Sequence, residues 1–200
     1  MSILPDCSVS LDPDCKAGKM GGIMKSETIR VFFALWPDVY ACDEFTREQS
    51  TLVNVCGGRL MRPDTLHVTL VFLGEVEVSR LEALTLVASE VCVTQFKVCF
   101  DVARYWGHNH ILYAAFHQAP DKLLQLAAEL RHHLALHGFK FDVRTFKPHI
   151  TLLRNVFWTD DLLPVLPVVC WEIKEFVLLQ SPQGGGTYQT LARFPLVENK

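Results

Sequence analysis

Two segments from opposite halves of the chain, Leu66-His67-Val68-Thr69-Leu70 and His149-Ile150-Thr151-Leu152-Leu153, each set a histidine and a threonine two residues apart around an apolar residue. Side chains of a β-strand alternate between faces, so residues i and i+2 share one. Each segment therefore presents an imidazole beside a hydroxyl and sends Val68 or Ile150 to the opposite, buried face. Facing each other, two such strands line a cleft with two imidazoles and two hydroxyls. A single His-x-Thr triplet arises by chance roughly half a time in a chain of this composition, so one copy says little. Two copies, both β-like and both following a helical segment, say much more. The competing reading is a pair of strand histidines satisfied by neighbouring hydroxyls, with no chemistry attached.

The order of elements repeats around the two motifs. Arg30 to Trp36 reads as a buried strand, Pro37-Asp38 opens a helix to about Val55, and Gly57-Gly58 breaks it ahead of the His67 strand, which ends near Gly74. Ser79 with Glu82 looks like a capping box for a helix to about Val91. Phe96 to Arg104 and Ile111 to His117 read as an antiparallel strand pair turning at Gly107-His108-Asn109. Asp121 to His137 carries an apolar stripe through Leu123, Ala127, Leu130 and Leu134, with Gly138 as its C-cap. Pro148 then introduces the His149 strand, and Glu172 to Leu179 pairs with Thr187 to Leu196 around Gly184-Gly185-Gly186. Strand, helix, motif strand thus occurs twice. The expected fold is α+β: two pseudo-symmetric lobes of antiparallel strands with helices outside, and a central groove carrying both His-x-Thr motifs. Residues 1–28, rich in Gly, Pro and scattered charge, are expected to be a flexible amino-terminal extension, in which Met20 or Met24 offers an alternative start. Residues 29–200 are expected to be a single bilobal domain.

Half of the 200 residues are hydrophobic, enough for a substantial core, and the formal net charge of −3 argues against a protein that coats long stretches of nucleic acid. The seven cysteines are odd in number with no C-x-x-C spacing, so neither a disulfide framework nor a zinc ribbon is signalled. Cys42, Cys92, Cys99 and Cys170 lie in apolar stretches and read as reduced core residues, which favours the cytoplasm. No apolar run reaches the length of a membrane span, and the amino terminus lacks the apolar block of a secretory signal.

Four blocks carry a family resemblance: Arg30-Val31-Phe32-Phe33-Ala34-Leu35, then Leu66 through Glu75, then Phe146-Lys147-Pro148-His149-Ile150-Thr151-Leu152-Leu153-Arg154, then Tyr188 through Leu196. In this order they resemble the two-histidine phosphoesterase superfamily, specifically the bacterial and archaeal RNA 2′,3′-cyclic phosphodiesterases first named 2′-5′ RNA ligases. The resemblance spans about Ile29 to Leu196. It implies two lobes around a groove and opening of an RNA 2′,3′-cyclic phosphate to a 2′-phosphomonoester, with reversible 2′-5′ ligation accessible by role exchange. It also implies His67 as general acid and His149 as general base, a point on which the residues themselves are symmetric.

The chemistry suits the residue types. Histidine titrates near neutrality, so one imidazole can be neutral while the other is protonated. Thr69 and Thr151 can donate hydrogen bonds to the phosphoryl oxygens, where charge accumulates. Arg154, three residues after Thr151, matches an arginine of the family's second motif and is read as substrate-binding, through a base or a phosphate, against the alternative of a solvated strand-end charge. No cofactor and no metal are expected. The partners expected are RNA ends or small nucleotides bearing a cyclic phosphate, with no membrane, no obligate protein partner and a monomeric state. Alternatives are a phosphodiesterase for a small cyclic nucleotide or a 2′-5′ oligonucleotide, or a non-catalytic binder of RNA ends. Phe72 and Phe33 are read as core rather than groove, and Arg62 as a loop charge. His108-Asn109-His110 falls in a turn with no further ligand nearby, and His132, His133 and His137 offset a helix dipole.

Overall fold

The computed structural model describes residues 27–159, 162–182 and 186–198. Residues 1–26 of the extension expected over 1–28 lie outside these residues, as do Gly184 and Gly185 of the expected final turn. Strand β1 (Thr28–Leu35) opens the fold one residue ahead of the expected boundary, with Val31 to Leu35 buried. Helix α1 (Val39–Cys56) starts where Asp38 Oδ1 accepts the Ala41 amide at 2.8 Å, an N-cap that satisfies one of the free amides of the first turn. Its buried face runs through Ala41, Phe45, Gln49, Leu52 and Cys56. Gly58, at φ +89°, is needed where the chain turns into β2 (Arg59–Leu60), because a Cβ there would stand 2.8 Å from the Arg154 carbonyl oxygen.

Strand β3 (Val68–Glu77) follows a 3-10 turn at Pro63–Thr65. The capping box expected at Ser79 does not form. A second 3-10 turn, Val78–Arg80, takes up that stretch before α2 (Leu81–Ser89), and Ser79 Oγ bonds back to Glu77 at 3.4 Å. A residue wound into a helical turn lacks the extended backbone that an N-cap needs.

The strand expected over Phe96 to Arg104 is two strands, β4 (Phe96–Phe100) and β5 (Val102–Trp106), divided at Asp101. There the Asp101 amide bonds Ala115 O and its carboxylate takes the His117 amide, so the chain changes layers. Strand β6 (Ile111–Ala115) closes a hairpin with β5, and α3 (Asp121–Leu136) ends at Gly138, φ +69°, with Phe139 N–H on Leu134 O at 2.9 Å. Then come β7 (Ile150–Arg154), β8 (Val169–Ile173), β9 (Glu175–Gln180) and β10 (Gln189–Pro195). The expected strand Glu172 to Leu179 is likewise split, at Lys174.

One eight-stranded antiparallel sheet runs β10-β9-β1-β3-β7-β6-β5 with β2 beside β7, and β4 pairs with β8 in a separate two-stranded sheet. At the centre, β1-β3 and β7-β6 repeat one unit, each motif strand beside the strand that precedes its helix. The duplicated unit therefore forms, but its motif strands lie side by side in one sheet rather than in opposed walls. One face of this sheet carries the main core, under α1, α3 and the β4–β8 pair. The other face carries two smaller apolar clusters, one around Phe32, Ala34, Val177 and Leu179 and one around Ile111, Tyr113 and Ala115, with the centre open between them.

The cysteines are not the four reduced core residues expected. Cys99 and Cys170 are direct partners in the β4–β8 register and form a disulfide, with a Cα–Cα distance of 4.1 Å. Their sequence separation of 71 hides the pairing. Cys92 is exposed, Cys42 half-buried and Cys56 buried, all three free. The cysteines consequently give no support to a reducing compartment. Among the described residues no helix is long and apolar enough to cross a membrane.

A bridge closing a loop of this length restricts the unfolded chain, so reduction should lower stability by about 2–4 kcal/mol. Urea unfolding with and without dithiothreitol checks this; coincident curves would contradict it.

Candidate active site

Val68 pairs with Ile150 where the antiparallel strands β3 and β7 meet, and both side chains are buried beneath the sheet. Continuing that register sets His67 opposite Thr151 and Thr69 opposite His149 on the open face. The two imidazoles stand at one diagonal of a four-cornered site and the two hydroxyls at the other. Residues i and i+2 of a strand are about 6.8 Å apart and cross-strand partners about 5 Å, so the corners enclose a space the size of a phosphoryl group. All four line one groove of about 280 Å³, and Arg154 lines it too.

The histidines are held alike. His67 Nδ1 lies 2.7 Å from Thr65 O and His149 Nδ1 lies 2.7 Å from Lys147 O. A carbonyl only accepts, so each Nδ1 carries the proton and donates it, leaving Nε2 as the basic atom turned to the groove. His67 Nε2 is 3.1 Å from Thr69 Oγ1. Aromatic rings wall both imidazoles: Phe32, Trp36 and Tyr188 stand 5.1, 5.8 and 5.2 Å from His67, and Trp106 and Tyr113 stand 4.6 and 5.4 Å from His149.

This setting favours the neutral ring. Burial lowers the His67 pKa to about 4; the bond to Thr65 O opposes the shift, while the charges of His149 and Arg154 add to it. Burial also lowers the His149 pKa, against the bond to Lys147 O and with help from Arg154. Both imidazoles are thus mainly neutral at pH 7, and an anion placed between them would draw a proton onto one.

Arg154 reaches the groove by an irregularity. Three residues after Thr151 a regular strand would face away. Between β6 and β7, however, Leu112 pairs with Leu153 and Tyr113 with Thr151, leaving Leu152 as an extra, bulged residue. The bulge reverses the alternation and brings Arg154 to the side of Thr151. The same device occurs in the first half, where Phe33 pairs with Val71 and Ala34 with Thr69, leaving Leu70 extra. Leu70-Val71 and Leu152-Leu153 are accordingly consecutive buried pairs, and Phe72 is the counterpart of Arg154. Phe72 therefore lines the groove, contrary to its expected core role, whereas Phe33 is fully buried as expected.

Sequence reasoning passed over Arg30, Phe32 and Tyr188, all groove-lining. The Arg30 guanidinium lies over the Phe72 ring, 4.8 Å from its centroid, and adds a second cation to the rim. Phe32 could have been found from the alternation Arg30, Phe32, Ala34 along β1; Tyr188 comes from a distant loop and left no periodic signal. Arg62 pairs with Asp64 in the loop. His133 and His137 both face Glu90, and His110 packs against Phe157. Among the described residues no three His, Cys, Asp or Glu side chains converge as metal ligands do.

Residues 42–185 match the 2′-5′ RNA ligase superfamily. The chain is 33% identical over 177 residues to the RNA 2′,3′-cyclic phosphodiesterase of Escherichia coli K12, covering 86% of this chain and 99% of that protein. Its fold is similar to that of E. coli LigT in apo form, with a TM-score of 0.78 at 31% identity, over 86% of this chain and 99% of that one. The structure of E. coli LigT complexed with 3′-AMP matches with a TM-score of 0.77 at 31% identity, over 85% and 99% of the two chains.

In an NMR titration of the free protein, His67 should change charge near pH 4 and His149 below its ordinary 6.5, and inorganic phosphate should move both upward. Two histidines titrating at ordinary values, unmoved by phosphate, would contradict this electrostatic picture.

Proposed function

The chain belongs to the 2′-5′ RNA ligase superfamily, and on that premise we propose that it opens RNA 2′,3′-cyclic phosphate ends to 2′-phosphomonoesters by paired histidine acid–base catalysis, without a metal. The observation that carries this is the diagonal site, with two Nε2 atoms directed at one groove and two hydroxyls between them. The reading takes residues 29–200 as the catalytic domain, a monomer whose partner is an RNA end or a small nucleotide bearing the cyclic phosphate. The 3′-AMP complex of the E. coli relative supports a nucleotide occupant. The cytoplasm, where RNA ends are processed, is the proposed place of action, although the Cys99–Cys170 bridge lends it no support.

One imidazole removes a proton from water as the oxygen attacks phosphorus. The P–O3′ bond breaks on the far side, and the other imidazole protonates the departing O3′. Products are the 2′-phosphate and a free 3′-hydroxyl. Thr69 and Thr151 donate to the non-bridging oxygens, whose charge grows in the transition state, and Arg154 pairs with the charge that the diester already carries when it binds. We assign His67 as acid and His149 as base. Burial disfavours the charged ring, so it is the negative charge of the bound phosphate that raises the acid's affinity for a proton, which it takes from solvent. Exchanging the roles gives ligation of a cyclic phosphate with a hydroxyl.

A cyclic-phosphate-ended oligonucleotide incubated with the protein in EDTA should yield the 2′-phosphate; no conversion would refute the proposal. His67→Ala and His149→Ala should each lower kcat by about 10²–10⁴-fold. A substrate whose bridging 3′ oxygen is sulfur leaves without needing a proton, so it should restore turnover to His67→Ala and not to His149→Ala. The opposite pattern would reverse the assignment.

A further inference from the structure

Gln49 is the buried polar side chain of the described core, 1% exposed, on the apolar face of α1 between Phe45 and Leu52. Its Nε2 donates to the Leu152 carbonyl at 2.9 Å. Burying an amide costs free energy that an apolar residue would not. The cost is not required to satisfy that carbonyl, which already accepts the Met61 amide at 3.1 Å. What sets Leu152 apart is that it is the bulged residue of β7, whose extra position turns Arg154 toward the groove.

We propose that Gln49 is a positioning residue: by holding the Leu152 carbonyl from beneath the sheet, it fixes the bulge that delivers Arg154 to the phosphate. This deepens the reading of Arg154 as the substrate's cation and rests on it. The helix that packs the core thereby also sets the position of a groove side chain without touching the substrate. The link is short. Gln49 bonds Leu152, and Arg154 lies two residues further along the same strand, its backbone edge paired with Arg59 of β2. Removing the clamp frees β7 to relax toward regular alternation, which would swing Arg154 off the groove.

The test compares Gln49→Met, Arg154→Ala and the double variant with wild type. Methionine keeps the length and approximate volume of glutamine and removes the amide, with it the bond to Leu152; Gln49→Leu serves as a second apolar replacement. Gln49→Met should raise KM for a cyclic-phosphate substrate about three- to tenfold, with kcat within about twofold, as expected for loss of a charge-assisted contact made on binding. NMR gives a readout independent of turnover. Withdrawing the Arg154 cation should raise the His67 and His149 titrations, and Arg154→Ala should raise them to the same extent. In the Arg154→Ala background, Gln49→Met should change neither quantity. Unmoved titrations in Gln49→Met and Gln49→Leu would overturn the proposal, as would effects that multiply in the double variant. If Arg154→Ala leaves KM unchanged while the titrations still move with Gln49, the substrate role of Arg154 falls and its placement by Gln49 stands.

Discussion

The site depends on one backbone pairing, Val68 with Ile150, where β3 and β7 meet at the centre of the sheet. Both residues are buried in the main core, so a slip of one position would expose them and turn the flanking histidines inward. Antiparallel register then distributes the flanking residues without further adjustment, with imidazoles on one diagonal and hydroxyls on the other. Two copies of one strand–helix–strand unit thereby build a nearly symmetric acid–base site from a single contact.

Symmetry is broken three residues beyond each threonine. The bulges at Leu70 and Leu152 bring both positions to the groove, and these hold Phe72 in one half and Arg154 in the other. The apolar half packs more rings around its histidine, consistent with the deep depression of the His67 pKa. Both halves bring a cation to the rim, Arg30 over the Phe72 ring in one and Arg154 itself in the other, so the near-symmetric bases sit in an unequal field. The same field explains how neutral imidazoles serve: the substrate's own anion supplies the charge that lets one of them hold a proton.

Much of this was legible in the sequence. The alternation of His67, Val68 and Thr69, and of His149, Ile150 and Thr151, placed the four site residues on one face each, and the repeated element order paired the halves. The antiparallel neighbourhood of β3 and β7 was not legible, because opposed walls and adjacent strands present the same alternation. Neither were the bulges: a run such as Leu152-Leu153 reads as continuous core, and only the pairing with Leu112 and Tyr113 reveals the extra residue. Phe72 was misread for that reason. The strand breaks at Asp101 and Lys174 and the Cys99–Cys170 bridge depend on contacts between layers far apart in the chain, which no local window contains. Ser79 shows the limit of local signals, since a capping-box pattern gave way to a 3-10 turn.

The central claim is that the two imidazoles act from opposite sides of phosphorus in one displacement. The stereochemical course of the reaction tests it most directly. One diastereomer of a nucleoside 2′,3′-cyclic phosphorothioate is opened by the protein in water enriched in heavy oxygen, and the configuration of the product is determined. Direct in-line attack by water predicts inversion at phosphorus. Retention would require two displacements through a covalent phosphoryl-enzyme and would contradict the account.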